Sequence, residues 1–242
     1  MLATAGILLL AGVVAGVVGS AGGITSLVSY PALLAVGVPT LPANVTNLVA
    51  GAACWPGSAL TSRREIAGSG ARLRRSLPVA AFGAAVGAVL LLVTPPGAFA
   101  VIVPYLVAAG AVALLAQPVL TKAVRGRRGH ALVPIGLIAV YGGYFGAGSG
   151  ILTLAVLLVL VDADLPRANA LKNMLVGAST LAAGVVLAIT GPVAWPLVAP
   201  LAVGLFAGSL VGPVVARRVP AAVVRVAVAA LGLGLAVALW LG

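Results

Sequence analysis

The chain has 242 residues, of which 62% are hydrophobic and 7% charged, and its formal net charge is +11. A mean hydropathy of +1.26 excludes an ordinary soluble domain, because most of the chain lies in apolar runs of the kind that span a bilayer. The basic excess does not indicate nucleic-acid binding, since lysines and arginines in short loops mark the cytoplasmic side of a membrane protein. We therefore expect a multi-pass protein of the plasma (inner) membrane with no soluble domain.

The first apolar segment, residues 2–18, ends in a cluster of glycines, and a second segment covers residues 24–36. Each piece has about 13–17 residues, or roughly 20–25 Å of helix, which is less than the roughly 30 Å of a bilayer core. The pair is either one kinked span or a hairpin that enters and leaves by one face.

The rest of the first half predicts three further helices, at residues 44–60, 78–93 and 98–120. An arginine-rich loop at residues 63–75 separates the first two, and a proline-glycine turn separates the last two. A central basic loop contains Lys122, Arg125, Arg127, Arg128 and His130. We take this loop as the boundary between repeat one, residues 1–124, and repeat two, residues 130–242.

The second half follows the same plan. Residues 132–160 contain a second glycine break, and a turn with Asp162 and Asp164 follows it. Further helices are predicted at residues 169–189, 196–215 and 220–240. The predicted fold class is thus an all-α polytopic membrane protein with two inverted-topology repeats, each with a glycine-broken helix pair and three transmembrane helices.

Basic residues decide between the two interpretations of the broken segments. If each segment crosses once, the loops at 63–75 and 122–128 share a side, but Arg217 and Arg218 fall on the other. If each is a hairpin with no net crossing, all three clusters share a side and the uncharged turns at 94–97 and 190–192 face the other. The positive-inside rule favours hairpins, which places both termini outside the cytoplasm and inverts one half relative to the other.

The glycine block is duplicated. Gly16, Gly19, Gly23 and Ile24 recur 127 positions later as Gly143, Gly146, Gly150 and Ile151. In lipid, a broken helix is tolerated where it is buried in protein or lines a cavity, and matching breaks in two halves point to a transporter's binding site. The first N–H groups of the helix after each break can bind an anion. The alternative is that the glycines only permit tight helix packing.

The candidate substrate-binding residues of the two breaks are glycines and neighbouring hydroxyls. They are Gly19, Ser20, Gly22, Gly23 and Thr25 in the first copy and Gly146, Gly148, Ser149 and Gly150 in the second, with Ser26 and Thr153 adding hydroxyls.

A second duplicated pattern places Asn47 over Asn173 and Gly51 over Gly177. Residues three or four positions apart share a helical face, where amides and a lysine can hydrogen-bond an anion. The candidates are Asn44, Thr46 and Asn47 in the first half and Asn169, Lys172 and Asn173 in the second. In the alternative, Asn44 and Asn169 cap their helices and Lys172 extends to the membrane interface.

Only three carboxylates occur, Glu65, Asp162 and Asp164, all in or near predicted loops, where the two aspartates pair with Arg167. The sequence therefore shows no proton relay inside the membrane, no oxygen-rich metal site and no acid–base pair for hydrolysis. We expect no enzyme activity, no catalytic residue, no metal and no cofactor. The scarcity of negative charge favours an anionic substrate.

The duplicated blocks, together with the closing pattern of Gly204, Gly208, Gly212, Arg217, Arg218, Pro220 and Arg225, resemble the sulfite exporter TauE/SafE family of bacterial and plant permeases. The resemblance implies a pseudo-symmetric helical fold and the movement of small sulfur-containing anions such as sulfite, thiosulfate, sulfonates or sulfoacetate. It implies site roles for residues 19–23 and 146–150 and for Asn47 with Asn173, while Asn44, Thr46, Asn169 and Lys172 rest on spacing alone.

The sequence thus predicts a secondary transporter of a small anion that works by alternating access in the lipid bilayer. A passive anion channel, a ligand-free membrane scaffold and another inverted-repeat permease stay open as alternatives. A homodimer and the choice of anion, direction and coupling ion stay open as well.

Overall fold

The computed structural model describes residues 2–123, 130–162, 164–216 and 221–241. Regular structure in these ranges is α-helical, which confirms the predicted all-α class. The helices in chain order are α1 (Leu2–Gly22), α2 (Ser26–Ala35), α3 (Thr40–Gly51), α4 (Cys54–Thr61), α5 (Gly70–Val93), α6 (Pro96–Ala123), α7 (Leu132–Tyr144), α8 (Ser149–Leu160), α9 (Leu165–Thr190), α10 (Trp195–Ala216) and α11 (Ala221–Leu241).

Five of these helices, α1, α5, α6, α9 and α10, are long and apolar enough to cross a membrane, by length and composition. By contrast, α2, α7 and α8, which adjoin the two glycine breaks, have 10, 13 and 12 residues. At 1.5 Å per residue they reach about 15–20 Å, short of a full bilayer core.

The first helix is longer than predicted. It continues through Gly16 and Gly19 to Gly22, so the interruption covers only residues 23–25. Two of its glycines, Gly12 and Gly16, face another backbone closely: a Cβ at Gly16 would lie 2.4 Å from the carbonyl oxygen of Leu205. Such close contact between helices is the packing advantage of small residues in membranes.

Two other boundaries also differ from prediction. The helix expected at residues 44–60 is two helices, α3 and α4, and both α3 and α9 begin four residues before their first asparagine. Asn44 and Asn169 therefore lie inside helices, and the capping alternative is wrong. The cap of α9 is Asp164, whose carboxylate accepts a hydrogen bond from the backbone N–H of Arg167 at 3.2 Å.

The helix that precedes each glycine break, here called the arm of that break, packs against a helix from the other half of the chain. The arm of the first break, α1, lies along α10, and the arm of the second break, α7, lies along α5. Both contacts are lined by glycines, since a Cβ at Gly204 would lie 2.2 Å from Leu9 O and one at Gly143 would lie 2.0 Å from Ala84 O. α3 and α4 run along α9, and α6 packs with α11.

Several sequence predictions fall outside the described residues. They are most of the central basic loop with the boundary between the repeats, the pair Arg217 and Arg218, and the start of the last helix at Pro220.

Candidate functional site

The two glycine breaks meet, backbone against backbone. A Cβ at Gly150 would lie 2.5 Å from the Cα of Gly23, and a Cβ at Gly23 would lie 2.7 Å from the Cα of Gly150. Gly23 has φ +77°, and Gly146 and Gly148 in the second break have φ +86° and +79°. These left-handed conformations favour glycine, so both the turns and their close approach depend on the absence of side chains.

A cavity of about 80 Å³ lies beside this contact. One water needs roughly 10–15 Å³ on this scale, so the cavity has room for several waters or for one small ion. Residues from both breaks and from the asparagine helices contribute to its wall. The predicted site residues that line it are Gly19, Ser20, Gly23, Thr25, Asn47, Gly146, Ser149, Lys172 and Asn173, and Ser26 and Thr153 line it as well.

The other predicted site residues lie outside the cavity wall; they are Gly22, Asn44, Thr46, Gly148, Gly150 and Asn169. Thr46 holds a turn, because its hydroxyl oxygen accepts a hydrogen bond from the backbone N–H of Ala194 at 2.9 Å. Gly22 has room for a methyl group, since a Cβ built on it would only touch the side chain of Ile24 at 3.9 Å.

Lys172 is the only charged side chain among the described residues that line the cavity. It is 1% exposed, and its ammonium donates hydrogen bonds to the carbonyl oxygens of Gly19 and Ser20, both at 3.3 Å. The alternative in which Lys172 extends to the interface is therefore wrong. The last carbonyls of a helix lack partners within it, so a cation at the end of α1 is electrostatically favourable. An ammonium has three N–H donors, so one remains for a ligand.

Asparagines hold the ends of both broken arms. The amide of Asn169 on α9 donates to the carbonyl oxygen of Ser20 at 3.3 Å, and the amide of Asn44 on α3 donates to that of Tyr144 at 2.9 Å. Each half thus supplies an asparagine that supports the broken arm of the other half.

The duplicated pair Asn47 and Asn173 makes unequal contacts. Asn47 donates to the Ser26 hydroxyl at 3.0 Å and accepts from the Ser29 hydroxyl, so it fixes the first turn of α2. Asn173 makes a long contact of 3.5 Å with the hydroxyl of Ser62, just beyond α4. The side chain of Asn173 is therefore held by fewer and longer hydrogen bonds than that of Asn47.

Sequence reasoning missed the apolar wall of the cavity and one aromatic residue. Leu48, Ile135 and Ile138 contribute apolar surface, and Trp55 also lines the wall. A Cβ at Gly177 would lie 2.0 Å from Cδ1 of Trp55, so the ring packs directly on that glycine. The sequence signal for this contact was Gly177, which corresponds to Gly51 in the duplicated pattern. A glycine in a sequence does not, however, show which side chain covers it.

No three His, Cys, Asp or Glu side chains within the described ranges lie close enough to form a metal site. The wall instead offers hydrogen-bond donors, one positive charge and apolar surface. This set of groups suits a small anion better than a cation, because nothing charged negatively faces the cavity from the described residues.

Two comparisons connect the chain to known proteins. A family model described as "Sulfite exporter TauE/SafE" matches residues 5–239. The chain is also 27% identical over 239 residues to the "Probable membrane transporter protein ORF9" of Sinorhizobium sp, which covers 96% of this chain and 90% of that protein. No solved structure matches the chain.

Proposed function

We infer that this chain, which belongs to the sulfite exporter TauE/SafE family of membrane transporters, carries a small sulfur-containing anion across the plasma membrane. The observation behind this proposal is Lys172, a buried cation that faces the cavity beside the meeting point of the two breaks. Burying a charge is costly unless it is paired, and the carbonyls of Gly19 and Ser20 compensate it only in part. An anion in the cavity supplies the remaining compensation.

The cavity wall contains both polar and apolar groups, which suits an anion with a charged end and a small apolar part. Lys172 supplies a charged donor in the wall, while Leu48 and Ile135 supply apolar surface. Apolar surface stabilises carbon groups, and buried donors stabilise sulfonate or sulfite oxygens. We therefore expect small sulfonates to bind at least as well as sulfite or thiosulfate.

Alternating access is the mechanism that the helix pairing supports best. The exchange of partners, α1 with α10 and α7 with α5, relates the halves reciprocally, as expected of inverted repeats at residues 1–124 and 130–242. In this proposal both breaks are hairpin tips that meet in the membrane, and both termini lie outside the cytoplasm. Rocking of one half against the other then opens the cavity to each side in turn.

Flux in proteoliposomes tests the proposal. Purified protein is reconstituted, and uptake of labelled sulfite, thiosulfate and methanesulfonate is followed with and without an imposed ion gradient. Uphill accumulation supports a secondary transporter, whereas equilibration alone indicates a passive channel on the same scaffold. Absence of flux for all three anions, with no ligand-induced rise in thermal stability, would point to a scaffold without a ligand.

A further inference from the structure

The buried ammonium of Lys172 has no carboxylate to pair with among the described residues of the cavity wall. Its two hydrogen bonds, both 3.3 Å long, go to the carbonyl oxygens of Gly19 and Ser20, two residues that line the same cavity. An ionisable side chain inside a membrane protein is costly and usually marks a substrate or proton pathway. The charge of Lys172 therefore has to be balanced both when the cavity is loaded and when it is empty.

The hydrogen bonds of Lys172 are compatible with two protonation states. An ammonium has three N–H donors, and a neutral amine keeps two. The two carbonyls use two donors, so the third proton can leave without breaking either bond to the end of α1. A buried ion that loses its partner tends to be neutralised, because an unpaired charge is far more costly in a low dielectric than a neutral group. The contacts thus fit an ammonium beside an anion and an amine in the empty cavity.

The cavity wall has one further ionisable group among the described residues, the thiol of Cys54 on α4. This thiol donates a hydrogen bond to the carbonyl oxygen of Leu205 at 3.7 Å, so it is already engaged with α10. Of the other helices packed against α9, α1, α3 and α8 contain no ionisable side chain. The ionisable residues that remain on or next to the packed helices and α9 lie outside the cavity wall; they are Arg63, Arg64 and Glu65 after α4, Arg72, Arg74 and Arg75 on α5, Tyr141 and Tyr144 on α7, and Asp162, Asp164 and Arg167 at the start of α9.

We propose that Lys172 carries the coupling proton of this transporter, so that each anion moves together with one H⁺. This inference rests on the proposed function. When an anion binds, the amine of Lys172 takes one proton from water on the side to which the cavity is open, and the resulting ammonium pairs with the anion. When the anion leaves on the other side, the ammonium returns that proton to water there. The loaded and the empty cavity then both avoid an uncompensated charge while access switches between the two sides.

Proteoliposomes that contain the purified full chain test this coupling with methanesulfonate, which stays ionised and carries one negative charge. With acid outside, we expect accumulation inside that approaches about tenfold per unit of pH difference, the limit for one proton per anion. A membrane potential imposed alone drives no accumulation, because the proton and the anion together are neutral. A pH-sensitive dye outside reports one proton consumed for each anion taken up.

Lys172→Arg separates the charge from the proton transfer, since a guanidinium keeps its charge and is not deprotonated in proteins. We expect exchange of labelled for unlabelled methanesulfonate to persist, while accumulation under the pH gradient falls to simple equilibration. Lys172→Met has neither the charge nor the proton, so its residual flux does not respond to the pH gradient. Arg74→Lys makes the reverse substitution at an exposed position of α5 and retains both exchange and accumulation.

The outcomes separate this inference from the proposed function. Transport of methanesulfonate without proton movement and without a response to the pH gradient overturns the inference, while anion transport stands. Accumulation under the pH gradient by Lys172→Arg, or in the residual flux of Lys172→Met, also overturns it, because the proton then moves by another route. If Lys172→Arg shows no flux, the dye measurement on the unsubstituted chain and the residual flux of Lys172→Met decide. If the unsubstituted chain neither binds nor transports any of the three anions, the proposed function and this inference both fail.

Discussion

The two glycine breaks share a sequence pattern but are supported in different ways. The arm before the first break ends at carbonyls that receive hydrogen bonds from a cation, Lys172, and from Asn169. The arm before the second break is held by neutral groups: the amide of Asn44 and the hydroxyl of Tyr141, which donates to Ala147 O at 2.6 Å. The first break is partly exposed, whereas residues 147–150 of the second are buried.

The asymmetry arises at one pair of duplicated positions. The alignment that places Asn47 over Asn173 places Thr46 over Lys172. Thr46 uses its hydroxyl to hold the turn before α10, while Lys172 reaches the end of α1 and the cavity. Of these two positions only the one in the second half carries a charge, and under the proposed function a bound anion competes with the carbonyls of α1 for it. The two groups described at the second break, the amide of Asn44 and the hydroxyl of Tyr141, are neutral, so an anion would attract them less strongly.

The largest effect is expected from Lys172→Met, which removes the charge and both of its bonds to the end of α1. We expect anion uptake to fall at least about 100-fold, since hydrogen bonds to charged groups are each worth roughly 1.5–3 kcal/mol. Arg74→Met removes an exposed charge from α5 and is the matched control. Uptake in Lys172→Met within a few-fold of the unsubstituted chain would show that the anion binds elsewhere.

The contact between the breaks gives the next largest effect. Gly150→Ala places a methyl group about 2.5 Å from the Cα of Gly23, where only backbone movement can relieve the overlap. We expect a lower melting temperature and at least roughly a tenfold loss of uptake, because overpacking typically costs about 1–3 kcal/mol. Gly22→Ala adds a methyl group in ordinary van der Waals contact with Ile24, without overlap, and should behave like the unsubstituted chain. Equal effects of the two substitutions would contradict the arrangement of the tips.

Substitution of Asn44 or Asn169 compares directly how much each asparagine stabilises the arm that it contacts. Asn44→Ala leaves the carbonyl of Tyr144 without its donor, at a cost of about 1–3 kcal/mol, or roughly 2–10 °C in melting temperature for a chain of this size. Asn169→Ala should cost less, because Lys172 still donates to Ser20 O. Thermal unfolding in detergent measures both. A larger loss for Asn169→Ala would mean that Lys172 does not support the end of α1.

Features of the site that form a pattern within the sequence could be predicted, whereas contacts between residues far apart in the chain could not. Glycine breaks and the Asn47–Asn173 pair are visible in the sequence because they are duplicated. The contacts of Asn44 with Tyr144 and of Lys172 with Gly19 join residues 100 and 153 positions apart, so helix packing alone determines them. The same reason hides the packing of Trp55 on Gly177, since a glycine in a sequence does not show which side chain covers it.

The smallest effect is expected from Tyr141→Phe, which tests whether the second break is also held from within its own arm. The substitution removes one hydroxyl and leaves Ala147 O without that donor, a net loss of about 1 kcal/mol. We expect a fall of about 2–4 °C in melting temperature with uptake largely retained. Tyr105→Phe is the comparison: it removes an exposed hydroxyl far from the break in sequence, one that accepts a hydrogen bond from the exposed indole of Trp240. If Tyr141→Phe lowers stability more than Asn44→Ala does, the second break is stabilised chiefly by its own arm. Support by the opposite half would then be a property of the charged, first break alone.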